Sequence, residues 1–213
     1  MKKSKFIRST LILLVGGFVT KILGMVIKIV TSRLIPTEGV GLYMMIMPTF
    51  TLLISLAQMG LPIAISKLVS EDTRNNKKIV FSCIPMTILL NIVIFIVLFF
   101  ASDFIAIYLL HEERCKYAIK AIGFVLPFIS ISSIFRGYFF GKEKMIPHVV
   151  SNVTEDIVRL IVLTLGIPLF LQRGLDFTIA FLVLSNIISE LTSILILFFF
   201  VPKSFSLKPQ DFV

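Results

Sequence analysis

This sequence has little charge. Of its 213 residues, 15% are charged and 57% hydrophobic, and the mean hydropathy is +1.00. A soluble domain carries about 25% charged residues, so this balance excludes that class and points to a polytopic membrane protein. Cysteine is scarcer still: Cys83 and Cys115 stand alone, with neither CxxC nor Cys/His spacing, which removes a disulfide framework and a zinc site. There is no Walker loop, because Gly141-Lys142 lacks the upstream glycine spacing, and no HExxH or nucleophile elbow. ATP hydrolysis and membrane proteolysis therefore have no basis, and no metal or cofactor is expected.

Acidic residues are also few, 12 against 21 lysines and arginines, giving a net charge of +9. The basic residues are spread over short loops rather than gathered on one domain, so a topology signal explains them better than nucleic-acid binding. The opening MKKSKFIR and the apolar LILLV have the start of a signal peptide. No small-residue cleavage motif follows, so this stretch reads as an uncleaved first span.

What is abundant is apolar sequence in runs long enough to cross ~30 Å of hydrocarbon. Six such runs lie at about 9–35, 42–66, 79–101, 118–140, 148–171 and 177–201. All are expected to be helices, since a lipid-exposed strand cannot satisfy its backbone. The expected fold class is an all-α integral membrane bundle of six spans over residues 1–201, followed by a cytoplasmic, linker-like tail at 202–213. Segment 102–117 is the long connection, and its apolar first half either extends the third helix or lies at the outer interface. Lys2, Lys3, Lys5, Arg8, Lys67, Arg74, Lys77, Lys78, Arg136, Lys142, Lys144, Lys203 and Lys208 fall on one side, and only Arg114, Lys116, Lys120 and Arg173 on the other. The positive-inside rule then puts both termini in the cytoplasm.

Against this background Lys21 and Lys28 are conspicuous. Seven residues apart, they differ by only ~20° around a helix and ~10 Å along it, with Gly24 between them on the same face. Fourteen apolar side chains in residues 11–30 favour insertion by roughly 4 to 8 kcal/mol, while two central lysines oppose it by roughly 5 to 7. The helix is marginal unless the ammonium groups face a hydrated cavity or an anionic partner. Snorkelling suits Arg33 near the outer end, competes with a cavity role at Lys28, and fails for Lys21, ~18 Å from the start of the span.

Further charges lie in later spans. Glu155 and Arg159 are spaced i,i+4, acid first, which suits either a buried structural pair or a transport role. Asp156 points elsewhere on the helix and is expected to have no partner within the same four-residue reach. Glu190, among Ser185, Asn186, Ser189, Thr192 and Ser193, is either a functional acid or a polar contact between helices. Gly137 and Gly141 form a GxxxG that serves helix termination or packing equally well. Pro62, Pro85, Pro127 and Pro168 can kink helices, and His111 and His148 read as solvated loop histidines.

The blocks RLIPTEGVGLYMMIMPTFTLLISLAQMGLPIAISKLVSE (33–71) and FRGYFFGKEKMIPHVVSNVTEDIVRL (135–160) resemble the stage V sporulation protein B branch of the polysaccharide biosynthesis proteins. That branch lies within the multidrug/oligosaccharidyl-lipid/polysaccharide exporter superfamily, with the lipid II flippases. The resemblance implies one lobe of a two-lobe exporter fold in the bacterial cell membrane. Its substrate would be an undecaprenyl-diphosphate-linked peptidoglycan or polysaccharide precursor, used in spore cortex or cell-wall synthesis. It also implies that Lys21, Lys28 and Arg33 face a central cavity and meet the diphosphate. Arg136 falls in an Arg-Gly-Tyr motif, and Glu155 and Arg159 in a Glu-x-x-x-Arg motif. Arg136 and Arg159 are accordingly added to the substrate-binding candidates, with Glu155, Glu190 and Gly24 in structural or coupling roles. Asp156 departs from the family pattern and lowers the local positive potential. The chain also ends after six helices, so transport is expected to need a separate second lobe or a second copy. The competing readings are a truncated non-transporting protein, a docking partner of a cell-envelope complex, and a lobe of a cation-coupled drug exporter.

Overall fold

Long apolar runs joined by short turns become long helices. The computed structural model describes residues 2–71 and 76–201, so the proposed tail and most of the 71–78 loop lie outside the described residues. The helices are α1 (Lys2–Leu34), α2 (Thr37–Gln58), α3 (Leu61–Glu71), α4 (Asn76–Phe104), α5 (Lys116–Gly141), α6 (Met145–Leu171) and α7 (Leu175–Phe200), with no strand among the described residues. Five spans are long and apolar enough to cross a membrane: Ile7–Leu34, Thr37–Glu71, Lys78–Leu109, Glu113–Gly141 and Leu175–Phe200. The sixth, α6, has 27 residues, ~40 Å of helix, but carries Glu155, Asp156 and Arg159 near its middle. The fold is thus an all-α membrane bundle.

The second span is not the single rod expected over 42–66. It breaks between α2 and α3, where Met59 (φ 44°) and Gly60 (φ 69°) take left-handed conformations. Gly60 tolerates that geometry at no steric cost, and Pro62 restarts the helix in its first turn, where a missing N–H costs nothing. The carbonyl of Ala57, left without a helical partner, accepts a bond from Ser130 Oγ at 3.4 Å, and Asn91 Nδ2 donates to the same Ser130 Oγ at 3.1 Å. Three spans therefore meet at one buried polar point.

The third span runs beyond its expected end: α4 reaches Phe104 and continues through a π-helical turn, Ile105–Leu109. The apolar half of 102–117 extends the helix and does not form a separate interfacial segment. α5 is the central helix. Of its most apolar stretch 72% is buried, against 6% for that of α1, and it packs against α2, α3, α4 and α7. Gly137 and Gly141 let α3 approach: an added Cβ would lie 2.7 Å from the Pro62 carbonyl oxygen and 2.6 Å from that of Ser66. The GxxxG is a packing surface.

The two ends of the bundle differ in charge. At one end Ser9 Oγ donates to the Glu143 carbonyl at 3.2 Å, which places the start of α1 beside the α5–α6 turn, with Arg8 and Lys144 bordering a common hollow. At the other end acids neutralise the bases. Arg114 bonds Glu38 (2.6 Å) and Glu112 (2.8 Å), and Lys116 pairs with Asp103 (2.6 Å).

Candidate functional site

Two groups of polar side chains stand at membrane depth, one buried and one open. The buried group lies where α5, α6 and α7 converge. Arg136 of α5 donates through Nη2 to Glu155 Oε2 (2.5 Å), to Ser193 Oγ (3.0 Å) and, more weakly, to Glu190 Oε2 (3.3 Å). Arg159 donates to the other oxygen of Glu155 at 2.6 Å, one turn along α6. Glu155 is thus a bridge between two guanidinium groups, each bond charge-assisted. Ser132 of α5 lies beside Glu190.

The i,i+4 spacing in the sequence found the Glu155–Arg159 pair. Arg136 and Glu190 join it only through tertiary packing: Arg136 reaches Glu155 across 19 residues, and Glu190 meets Arg136 across 54. Asp156 is not wholly without a partner: Arg159 Nη1 lies 3.9 Å from its Oδ1, at i,i+3 spacing. That contact is too long for a hydrogen bond, though it adds a third carboxylate to the group. Burial of these charges is tolerable because each is paired. Two buried guanidinium nitrogens, Arg136 Nε and Arg159 Nε, still lack a partner, as does Asn152 Oδ1. His148, read from sequence as a loop residue, sits instead in the first turns of α6. Its ring lies 4.5 Å from that of Phe140, with Asn152 Nδ2 3.4 Å from its Nε2.

The open group is on α1. Lys21 and Lys28 are both exposed and border one groove of about 470 Å³ with Thr20, Gly24 and Met25. A Cβ added at Gly24 would meet nothing within 4 Å, so the space above this glycine is empty and the two ammonium groups flank it. Neither lysine has a carboxylate partner among the described residues. Arg33 is exposed at the far end of α1, and Lys28 also lines a small cleft with Thr31 and Tyr43. The eight residues singled out from sequence therefore form two sets. Arg136, Glu155, Arg159 and Glu190 make one interlocked cluster, whereas Lys21, Gly24, Lys28 and Arg33 lie along α1. Ser193, named from the sequence among the polar neighbours of Glu190, and Ser132, which no local spacing signalled, complete the cluster.

Chemically the two sets are opposites. The cluster holds two cations and three carboxylates, already bonded to one another. The α1 strip offers two compact, uncompensated positive charges ~10 Å apart, suited to an anion with two or more phosphates. Among the described residues no group of histidine, cysteine and carboxylate side chains has the arrangement to hold a metal ion.

Comparison with known proteins bears on the family and not on these residues. The chain is 41% identical over 203 residues to "Stage V sporulation protein B" of Bacillus subtilis (strain 168), covering 93% of this chain and 39% of that protein. It is 27% identical over 213 residues to "Lipid II flippase MurJ" of the same organism, covering 92% of this chain and 39% of the relative. "Sporulation protein YkvU" is 29% identical over 163 residues, 76% of this chain and 36% of the relative. The chain spans about two fifths of the length of these relatives. No solved structure is significantly similar to it. Residues 6–213 match the family described as polysaccharide biosynthesis protein, and the chain, a multi-pass membrane protein, belongs to that family.

Proposed function

We propose that this chain is one lobe of a flippase that carries an undecaprenyl-diphosphate-linked glycan, a peptidoglycan or polysaccharide precursor, across the cytoplasmic membrane of a bacterium. The observation that carries the reading is the contrast on the α1 face. Both half-buried cations of the α5–α7 cluster are paired, while Lys21 and Lys28 have no carboxylate partner among the described residues and border an open groove on α1. A diphosphate crossing a low-dielectric layer needs such charges, and an unpaired charge there is costly to either partner alone. Arg33 extends the strip toward the outer end. The face of α1 away from α6 would then line a central cavity completed by a second lobe or a second copy of the chain. The charge asymmetry of the bundle supports placing both termini in the cytoplasm.

In this reading Glu155, Arg136, Arg159 and Glu190 lock the three helices behind the cavity, and a lipid-linked glycan does not touch them at rest. A second reading, a cation-coupled drug exporter, draws on the excess of one carboxylate over the two arginines in that cluster. The names of the relatives, a lipid II flippase among them, and a role in sporulation for others support the first.

The test is binding of undecaprenyl diphosphate to the purified protein, measured by native mass spectrometry. Lys21→Ala and Lys28→Ala are each expected to weaken retention about tenfold or more and to leave membrane insertion equal or improved. Equal retention by both variants would remove the cavity role of α1.

A further inference from the structure

We propose that the seam between α1 and α6 at the basic end is a binding site for an anionic phospholipid, a role separate from that of the Lys21–Lys28 strip. The mouth is a hollow of about 350 Å³ bordered by Arg8, Lys144, Glu143, Pro147 and Phe200. One wall is fixed by the Ser9 to Glu143 hydrogen bond. Arg8 and Lys144 are both exposed there, with Glu143 the one acid. The mouth is therefore cationic and lies where headgroups sit.

A second groove of about 380 Å³ shares Arg8 with the mouth, and Ile12 as well. It continues between Val15 and Val19 of α1 and Val149 and Val153 of α6. From Arg8 to Val19 is ~16 Å along the helix, the reach of an acyl chain directed toward the bilayer centre. The floor of this crease is where the helices touch, because a Cβ at Gly16 would lie 2.4 Å from Val149 Cγ1. Lined by the valines with Leu11 and Ile12, the crease suits a hydrocarbon chain. Free phosphate would use only the mouth, and an uncharged lipid only the groove. A phospholipid with an anionic head uses both, in the pattern of basic pockets between helices that hold such lipids.

The experiment is native mass spectrometry of the full chain released from nanodiscs holding equal amounts of phosphatidylglycerol and phosphatidylethanolamine. One retained phosphatidylglycerol is expected at least fivefold above phosphatidylethanolamine. Arg8→Gln and Lys144→Gln are each expected to lower its retention about fivefold, the effect of one cation near an anionic surface. Ile12→Trp, which fills the groove without altering charge, is expected to lower it as well. Lys21→Ala is expected to leave it unchanged, so the outcome is independent of the diphosphate reading. Equal retention of both phospholipids, or no loss in the Arg8→Gln/Lys144→Gln double variant, overturns the proposal. So does displacement by equimolar undecaprenyl diphosphate that persists in Lys21→Ala, since the seam would then be an entry for the carried lipid.

Discussion

Replacing Glu155 tests whether the buried cluster holds three helices together. Its two oxygens accept bonds from Arg136 at 2.5 Å and from Arg159 at 2.6 Å. In Glu155→Ala, Arg136 keeps only Ser193 and the weaker 3.3 Å contact with Glu190, and Arg159 keeps only Asp156 at 3.9 Å. Removing one partner of a buried ion pair costs about 3–5 kcal/mol, because the other charge is left behind in low dielectric. Here two charges are left behind, though each arginine side chain is 20–24% exposed and recovers some hydration, so the middle of that range is appropriate. By the scaling for chains of this length, about 4 kcal/mol lowers the thermal midpoint in detergent by roughly 8–16 °C. Glu190→Ala, which removes the 3.3 Å contact with Arg136 and the carboxylate beside Ser132 but leaves both bonds of Glu155, is expected to cost less. The assay is a thermal aggregation series read by size-exclusion fluorescence, with Glu155→Gln, Arg159→Gln and their double variant forming a cycle. A coupling below about 0.5 kcal/mol between Glu155 and Arg159, the level shown by independent sites, would refute the bridge.

Gly137→Ala places a methyl group against the Pro62 carbonyl oxygen and is expected to destabilise the bundle by about 1–3 kcal/mol. Gly24→Ala, in open space, is expected to show no such loss in the same thermal assay. At the opposite end Arg114 holds the Glu112 carboxyl below its usual range, chiefly through their side-chain hydrogen bond. Because the folded value is the lower one, the stability this clasp adds is present above the ordinary carboxylate range and is lost as pH falls through that lowered value. Wild type and Glu112→Gln are therefore expected to differ in thermal midpoint at pH 7 and to converge on acidification. A constant difference across that range would refute the assignment.

The spans were legible because hydrophobic length is a local property. Even α6, with Glu155, Asp156 and Arg159 in its middle, stood out as an apolar run. The break at Met59 and Gly60 was not read, although Gly60 and Pro62 lie side by side with Leu61. A glycine is tolerated in a helix at ~1 kcal/mol, and it takes the fold, with Met59 and Gly60 left-handed and the Ala57 carbonyl bonded to Ser130, to show that the ladder is interrupted there. The site divides in the same way. Helical periodicity put Lys21 and Lys28 on one face and paired Glu155 with Arg159. No periodicity could bring Arg136 or Glu190 to that pair, because helix packing sets those contacts. His148 was misassigned for a related reason: α6 begins at Met145, before the charged turn has visibly ended.

The slight attachment of α1 has a consequence for the order of events during synthesis. Its main packing partner is α6, and the contact that seats it, Gly16 against Val149, joins residues 133 positions apart in the chain. At ~5–20 residues per second, the ribosome needs roughly 7–27 s to supply that partner. The helix whose insertion is most finely balanced is thus also the one that waits longest for a neighbour. Throughout that interval its two lysines must be kept hydrated by the insertion machinery or the headgroup layer, and not by its own fold.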